Sequence, residues 1–144
     1  MRLLRGHAAA RRELSIDLQG EHGLTVNDYE ALLLLSHADE NALRRVDLAR
    51  ELELTASGVT RLLDGLEQEG WVTTRICDHD ARVKYAALTE SGRAKLEQAS
   101  CSHVASVRDL FEGRYTAEEL TTLADLLRRL PGAAGADAAE CTAA

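Results

Sequence analysis

Three groups of residues in this 144-residue chain have types and spacings that could do chemistry. In the first, Thr55, Ala56, Ser57, Thr60 and Arg61 gather three hydroxyls, one small side chain and a guanidinium in a short stretch. The second, Arg75, Asp80, Arg82 and Lys84, sets three cations around one carboxylate. Both suit recognition of phosphate and of hydrogen-bonding edges, because guanidinium forks and short hydroxyls pair directionally with such acceptors. The third, His7, Arg11, Arg12, His22 and Tyr29, offers a guanidinium for a carboxylate with donors and a ring to stack beside it, or it is simply a solvated surface. No nucleophile with its base, no phosphate-cradling glycine loop and no metal motif accompanies these groups, so neither an enzyme nor a cofactor is expected. His79 between Asp78 and Asp80 lacks further ligands for a metal, and Asp80 reads instead as a partner of Arg82.

The elements that must hold these residues follow from periodicity. Residues 3–19 place Leu3, Leu4, Ala8, Leu14 and Leu18 at mixed helical spacing before Gly20 and Gly23 interrupt, which predicts a first helix. Thr25 caps a second, with Asp28 in its first turn and a broad apolar surface of Val26, Tyr29, Leu32, Leu33 and Leu35. A short segment, 42–45, leads into 46–52, where Val46, Ala49 and Leu52 recur every three residues. A tight turn at 53–55 then opens the helix 55–69. There Val59, Leu62, Leu63 and Leu66 form one face, leaving Ala56, Ser57, Thr60, Arg61 and Asp64 on the other. Gly70 suits the position after that helix, and 71–76 and 83–88 are rich in strand formers, predicting a hairpin with a charged tip at 77–82. Trp71 reads as a core anchor at the start of this hairpin. A long helix opens at Thr89-Glu90-Ser91-Gly92 and runs to about Arg114. The run Thr116-Ala117-Glu118-Glu119 caps another that carries Leu120, Leu123, Ala124, Leu127 and Leu130. Residues 131–144, rich in glycine and alanine, are expected to form a flexible tail.

Charge is unevenly spread. The net charge of -7 argues at first against a nucleic-acid partner, yet residues 42–95 hold nine Lys/Arg and nine Asp/Glu, leaving eight and fifteen elsewhere. Cys77, Cys101 and Cys141 are odd in number and widely spaced, which predicts reduced thiols rather than a disulfide framework or zinc knuckles. No segment has the roughly 20 apolar residues a membrane span needs and no signal segment is evident, so a cytoplasmic protein with no membrane partner is expected.

A helix, a tight turn, a helix with a polar outer face and a charged hairpin together define a winged helix-turn-helix. The stretches Val46-Asp47-Leu48-Ala49-Arg50-Glu51-Leu52, Thr55-Ala56-Ser57-Gly58-Val59-Thr60-Arg61, Gly70-Trp71-Val72, Asp78-His79-Asp80-Ala81-Arg82 and Leu88-Thr89-Glu90-Ser91-Gly92 resemble the multiple-antibiotic-resistance regulator (MarR) family. The resemblance runs without a gap from about Leu24 to Leu96, and Asp80-x-Arg82 followed by Leu-Thr-x-x-Gly is its most specific part. It implies a mainly α (α+β winged helix) fold in four segments: a dimerisation helix at 1–24, a DNA-binding region at 25–90 with recognition helix 55–69 and wing 71–88, dimerisation helices at 91–130, and the tail. It implies a homodimer on a pseudo-palindromic operator in duplex DNA, to which Thr55, Ala56, Ser57, Thr60 and Arg61 bind, with Ser57, Thr60 and Arg61 reading the major groove and Thr55 capping the helix and contacting phosphate. Arg82 would enter the minor groove, steadied by Asp80, with Arg75 and Lys84 on the backbone. Many members release DNA when a small, often aromatic, anion binds, for which His7, Arg11, Arg12, His22 and Tyr29 are the candidate lining; the expected function is a repressor so released. The alternatives are a redox-sensing regulator using Cys77 or Cys101 and a winged helix used for protein contacts.

Overall fold

The computed structural model describes residues 1–77 and 80–130, the backbone alone at 77 and 80–82. Its elements are α1 (Arg2–His22), α2 (Val26–His37), a single 3-10 turn (Asp39–Asn41), β1 (Ala42–Arg44), α3 (Arg45–Glu51), α4 (Ala56–Gln68), β2 (Val72–Cys77), β3 (Asp80–Leu88), α5 (Glu90–Glu112) and α6 (Ala117–Leu127). Helices with one small antiparallel sheet make this the mainly α winged helix expected, and no described helix is long and apolar enough to cross a membrane. The chain divides into two compact units, Met1–Ser106 and Val107–Ala144. The tail expected at 131–144 lies outside the described residues.

In the first unit the core is a leucine cluster, with Leu18 of α1, Leu24, Leu32 and Leu35 of α2, Leu48 of α3 and Leu63 of α4 fully enclosed. Helix α1 runs past Gly20 and ends at Gly23, whose φ of 67° is the left-handed conformation glycine adopts without steric cost. Thr25 accepts a hydrogen bond from the Asp28 amide while Asp28 accepts from the Thr25 amide, a reciprocal cap that fixes the start of α2.

Two details differ from the sequence reading. Residues 42–44 form a strand, and the sheet order is β1-β3-β2, with Ala42 opposite Ala87 and Arg44 opposite Tyr85. Three residues are too few to show an alternating pattern; the partner strand β3 makes them a strand. The inward stripe of α3 is Leu48, Ala49 and Leu52, whereas Val46 is 69% exposed. With 3.6 residues per turn and a start at Arg45, positions 48, 49 and 52 share the core side and 46 turns outward.

The second unit contains the end of α5 and α6. Thr116 and Glu119 form another reciprocal cap, and Leu123, Leu126 and Leu130 are left substantially exposed.

Candidate nucleic-acid interface

Helix α4 is fixed at both ends by its own sequence. Thr55 accepts the Gly58 amide at 3.1 Å, satisfying one of the amides a helix start leaves unpaired. At the other end the Gly70 amide reaches the Glu67 carbonyl and the Trp71 amide the Leu66 carbonyl, with Gly70 at φ 73°, a glycine-terminated Schellman closure. The turn before α4 closes α3 the same way: the Glu53 amide bonds Arg50 and the Leu54 amide bonds Ala49. Here Glu53 occupies the left-handed position at φ 54°, a conformation uncommon outside glycine.

Between these closures the helix has two opposed faces. Val59, Leu63 and Leu66 are buried, and Leu62 packs against the core. Thr55, Ala56, Ser57, Thr60 and Arg61 are all exposed. Among the described residues their polar atoms bond within the helix and its cap: Thr60 donates to the Ala56 carbonyl at 2.8 Å, Arg61 Nε to the Ser57 carbonyl at 3.3 Å, and the Thr55 and Ser57 hydroxyls lie 3.2 Å apart. These bonds turn the side chains back toward the N-terminal half of α4, leaving remaining donors and lone pairs open to solvent.

The hairpin strands pair antiparallel, with Arg75 opposite Tyr85 and Ile76 opposite Lys84. Directly opposed residues share a face and neighbours alternate, so Arg75 and Lys84, both exposed, flank the ribbon on its two faces. The side chains of Asp80 and Arg82, and the tip between the strands, lie outside the described residues.

The base of the hairpin is joined to α5 by the Leu-Thr-x-x-Gly stretch. The Thr89 amide bonds the Trp71 carbonyl, and the Thr89 and Ser91 hydroxyls both donate to the Gly70 carbonyl at 2.7 Å. The Gly92 amide donates to the Thr89 hydroxyl. A Cβ on Gly92 would stand 2.0 Å from the Trp71 carbonyl oxygen, so only glycine permits this approach. Lys95, one turn along, holds its ammonium 5.1 Å from the centre of the Trp71 ring.

Arginines that sequence reasoning did not single out surround α3. Arg45 turns inward, donating to Thr74 of β2 at 2.7 Å and lying 3.4 Å from Glu67 of α4, while Thr74 also donates to Glu67. This bridge ties α3, α4 and the hairpin together. Arg44 and Arg50 turn outward on either side of Asp47, with Nε of Arg44 at 2.5 Å and Nη2 of Arg50 at 3.0 Å from its two oxygens. The hydrogen bond from Arg44 holds the Asp47 carboxyl below its ordinary pKa against a partial burial that opposes this, and the same pair raises Arg44. The spacing i, i+3, i+6 was the signal available in the sequence.

The third candidate group is not brought together. His7 and Arg11 line a cleft of about 380 Å³ with Glu30, Leu33, Leu34, Glu51, Leu52 and Glu53. Within it Arg11 is already engaged, by Glu30 at 3.1 Å and by Asn27 at 2.6 Å. His22 lies elsewhere, 2.6 Å from the Ser102 hydroxyl of α5 and beside a separate cleft with Trp71 and Lys95. Tyr29 is buried, its ring 4.4 Å from that of His103, and Arg12 is exposed. Burial lowers the His103 pKa from its ordinary value, with Asp17 opposing. Cys101 is an exposed free thiol; Cys141 and the side chain of Cys77 lie outside the described residues.

Known proteins share both sequence and fold with this chain. A MarR family model matches residues 22–83. The HTH-type transcriptional repressor YetL of Bacillus subtilis (strain 168) is 34% identical over 112 residues, which is 75% of this chain and 66% of that protein, just under two thirds of its length. Among solved structures, AbsC, a MarR family transcriptional regulator from Streptomyces coelicolor, is 33% identical with a TM-score of 0.80, over 88% of this chain and 85% of that one. Sco3205, a MarR family transcriptional regulator from the same organism solved in complex with DNA, is 28% identical with a TM-score of 0.82, over 88% of this chain and 79% of that one. With this sequence identity and shared fold, the chain is a member of the MarR family of transcriptional regulators.

Proposed function

We propose that this chain is a homodimeric, sequence-specific DNA-binding regulator that represses transcription and lets go of its operator when a small effector binds. The observation that carries the reading is the split of α4: one face sealed by leucines, the other offering Ser57, Thr60 and Arg61 to solvent beside a two-stranded ribbon. A helix of this diameter fits the major groove, where donors and acceptors of each base pair are distinguishable, and a ribbon next to it reaches the adjacent groove. Thr55, Ala56, Ser57, Thr60 and Arg61 would read or approach the major groove. Arg82, steadied by Asp80, would enter the minor groove, with Arg75 and Lys84 on flanking phosphates. That YetL is a transcriptional repressor supports repression, and the DNA complex of Sco3205 supports the partner.

Dimerisation has its own support. Leu3, Leu4 and Ile16 of α1, and Leu123 and Leu126 of α6, are exposed in the single chain, and a second copy would cover them. The cleft at His7 and Arg11 ends on Leu52 and Glu53, in the turn that starts α4. An effector carboxylate that replaced Glu30 on Arg11 would therefore bear on the reading helix itself. A coupling of roughly 1–3 kcal/mol would change operator affinity about 5- to 150-fold.

The test is fluorescence anisotropy of the full chain with DNA from upstream of its own gene and with scrambled DNA of equal length, across a salt series. Tight binding to the upstream DNA alone, weakening with salt by counterion release, is expected. Equal and weak binding to both, together with no selective binding to any fragment of a genomic library, would overturn it in favour of a winged helix that contacts protein.

A further inference from the structure

The geometry points to Asp47 as a positioning residue that holds Arg44 and Arg50 as a two-guanidinium clamp for the phosphate backbone of duplex DNA beside the groove that α4 enters. This inference rests on the DNA-binding reading above and deepens it.

One carboxylate serves two arginines, each on its own oxygen: Arg44 through Nε and Arg50 through Nη2. Among the described residues, being held at Nε leaves both terminal nitrogens of Arg44 for another acceptor, and a guanidinium fork matches phosphate geometry. Exposure follows the same division of roles. The side chain of Asp47 is 17% exposed against 52% for Arg44 and 71% for Arg50, so the carboxylate is recessed and the cations form the surface. Glu51, 3.7 Å from Arg50 Nε, partly offsets that arginine, making Arg44 the stronger arm. Arg45, between them in the sequence, is spent on the internal bridge to Thr74 and Glu67 and is not part of the clamp. The place in the fold is suitable, because in a helix-turn-helix the helix before the reading helix crosses the DNA backbone. Phosphate contacts fix register without carrying sequence information, so the clamp would set how α4 sits in the groove.

The two explanations of Asp47 predict opposite signs. If it is merely a negative charge near DNA, removing it tightens binding; if it positions the arginines, removing it loosens binding. The full chain is titrated against upstream and scrambled duplexes over a salt series, with thermal melting of every variant. Arg44→Ala and Arg50→Ala are expected to weaken both duplexes alike and each to reduce the slope of log affinity against log salt by about one. Asp47→Asn is expected to weaken both about three- to tenfold, and to do nothing further once both arginines are alanine. Asp47→Glu, which keeps the charge but displaces it, serves where the asparagine variant does not fold and is expected to weaken binding in the same direction. Tighter or unchanged binding by folded Asp47 variants, a loss that persists without the arginines, or an unaltered salt slope in the arginine variants would overturn the clamp. Absence of binding by the unaltered chain to either duplex at low salt would instead overturn the DNA reading itself.

Discussion

Helices α4 and α6 are similar in length and both begin at a threonine cap, yet they leave opposite surfaces exposed. In α4 the leucines are enclosed and what faces solvent is hydroxyl and guanidinium. In α6 no residue is buried and Leu123 and Leu126 face solvent. The first helix has its leucines covered and presents polar groups; the second presents leucines that the chain itself does not cover. A surface short of hydrogen-bond partners suits a polar, charged duplex, and a surface short of apolar cover suits another protein surface such as its own copy. Under the reading proposed above, the net charge of -7 is no obstacle to a polyanionic partner, since exposed charges are screened beyond about 8–10 Å.

The largest effect should come from breaking the apolar side of this contrast. Leu123→Glu combined with Leu126→Glu is expected to raise the dissociation constant of the proposed dimer about a thousandfold, because four leucines change in a two-fold pair, each already partly covered and so losing about half of the roughly 1.5–3 kcal/mol of a full burial. Sedimentation across a dilution series measures it, and an unchanged dimer would show that another surface holds the copies together.

A smaller effect should come from the packed interior around the reading helix. Gly92→Ala forces a methyl against the Trp71 carbonyl and is expected to cost about 2–3 kcal/mol in denaturant unfolding. Gly65→Ala, in α4 where a Cβ meets nothing within 4 Å, should instead stabilise by about 0.5–1 kcal/mol. Equal responses at the two glycines would mean that the junction between hairpin and α5 is not tight.

The smallest effect is the pH dependence of the half-buried side of α5. Burial lowers the pKa of His103 from 6.5, so between the folded and unfolded values the unfolded chain binds more protons. Its contribution to stability is therefore present above about 6.5 and is lost as pH falls through the lower folded value. His103→Gln should flatten the unfolding free energy across that window; an unchanged pH profile would remove the assignment.

The local signals in the sequence were legible where one element decides the outcome. The leucine stripe of α4, the threonine caps of α2 and α6 and the glycine after α4 all follow from residues within two turns of each other. What distance in sequence conceals was not legible. Strand β1 exists because β3 lies beside it, and Arg45 meets Thr74 across 29 positions. Val46 looked apolar enough for the core, but helix phase decided otherwise. The proposed effector lining grouped five residues by chemical type, and the fold separates His22 and Tyr29 from the cleft that His7 and Arg11 share. Residue type alone carries no information about convergence in space.

The joint at Gly92 has one further consequence. The chain has a single tryptophan, and it stands at this joint, its carbonyl bonded to Thr89 and its ring beneath the Lys95 ammonium. Indole emission responds to a nearby charge, so the tryptophan emission of this protein comes from a joint between the hairpin and α5. A change in the angle between them would move the Lys95 ammonium relative to the ring and alter colour and intensity without any attached dye, so the indole would serve as an optical gauge of such a change.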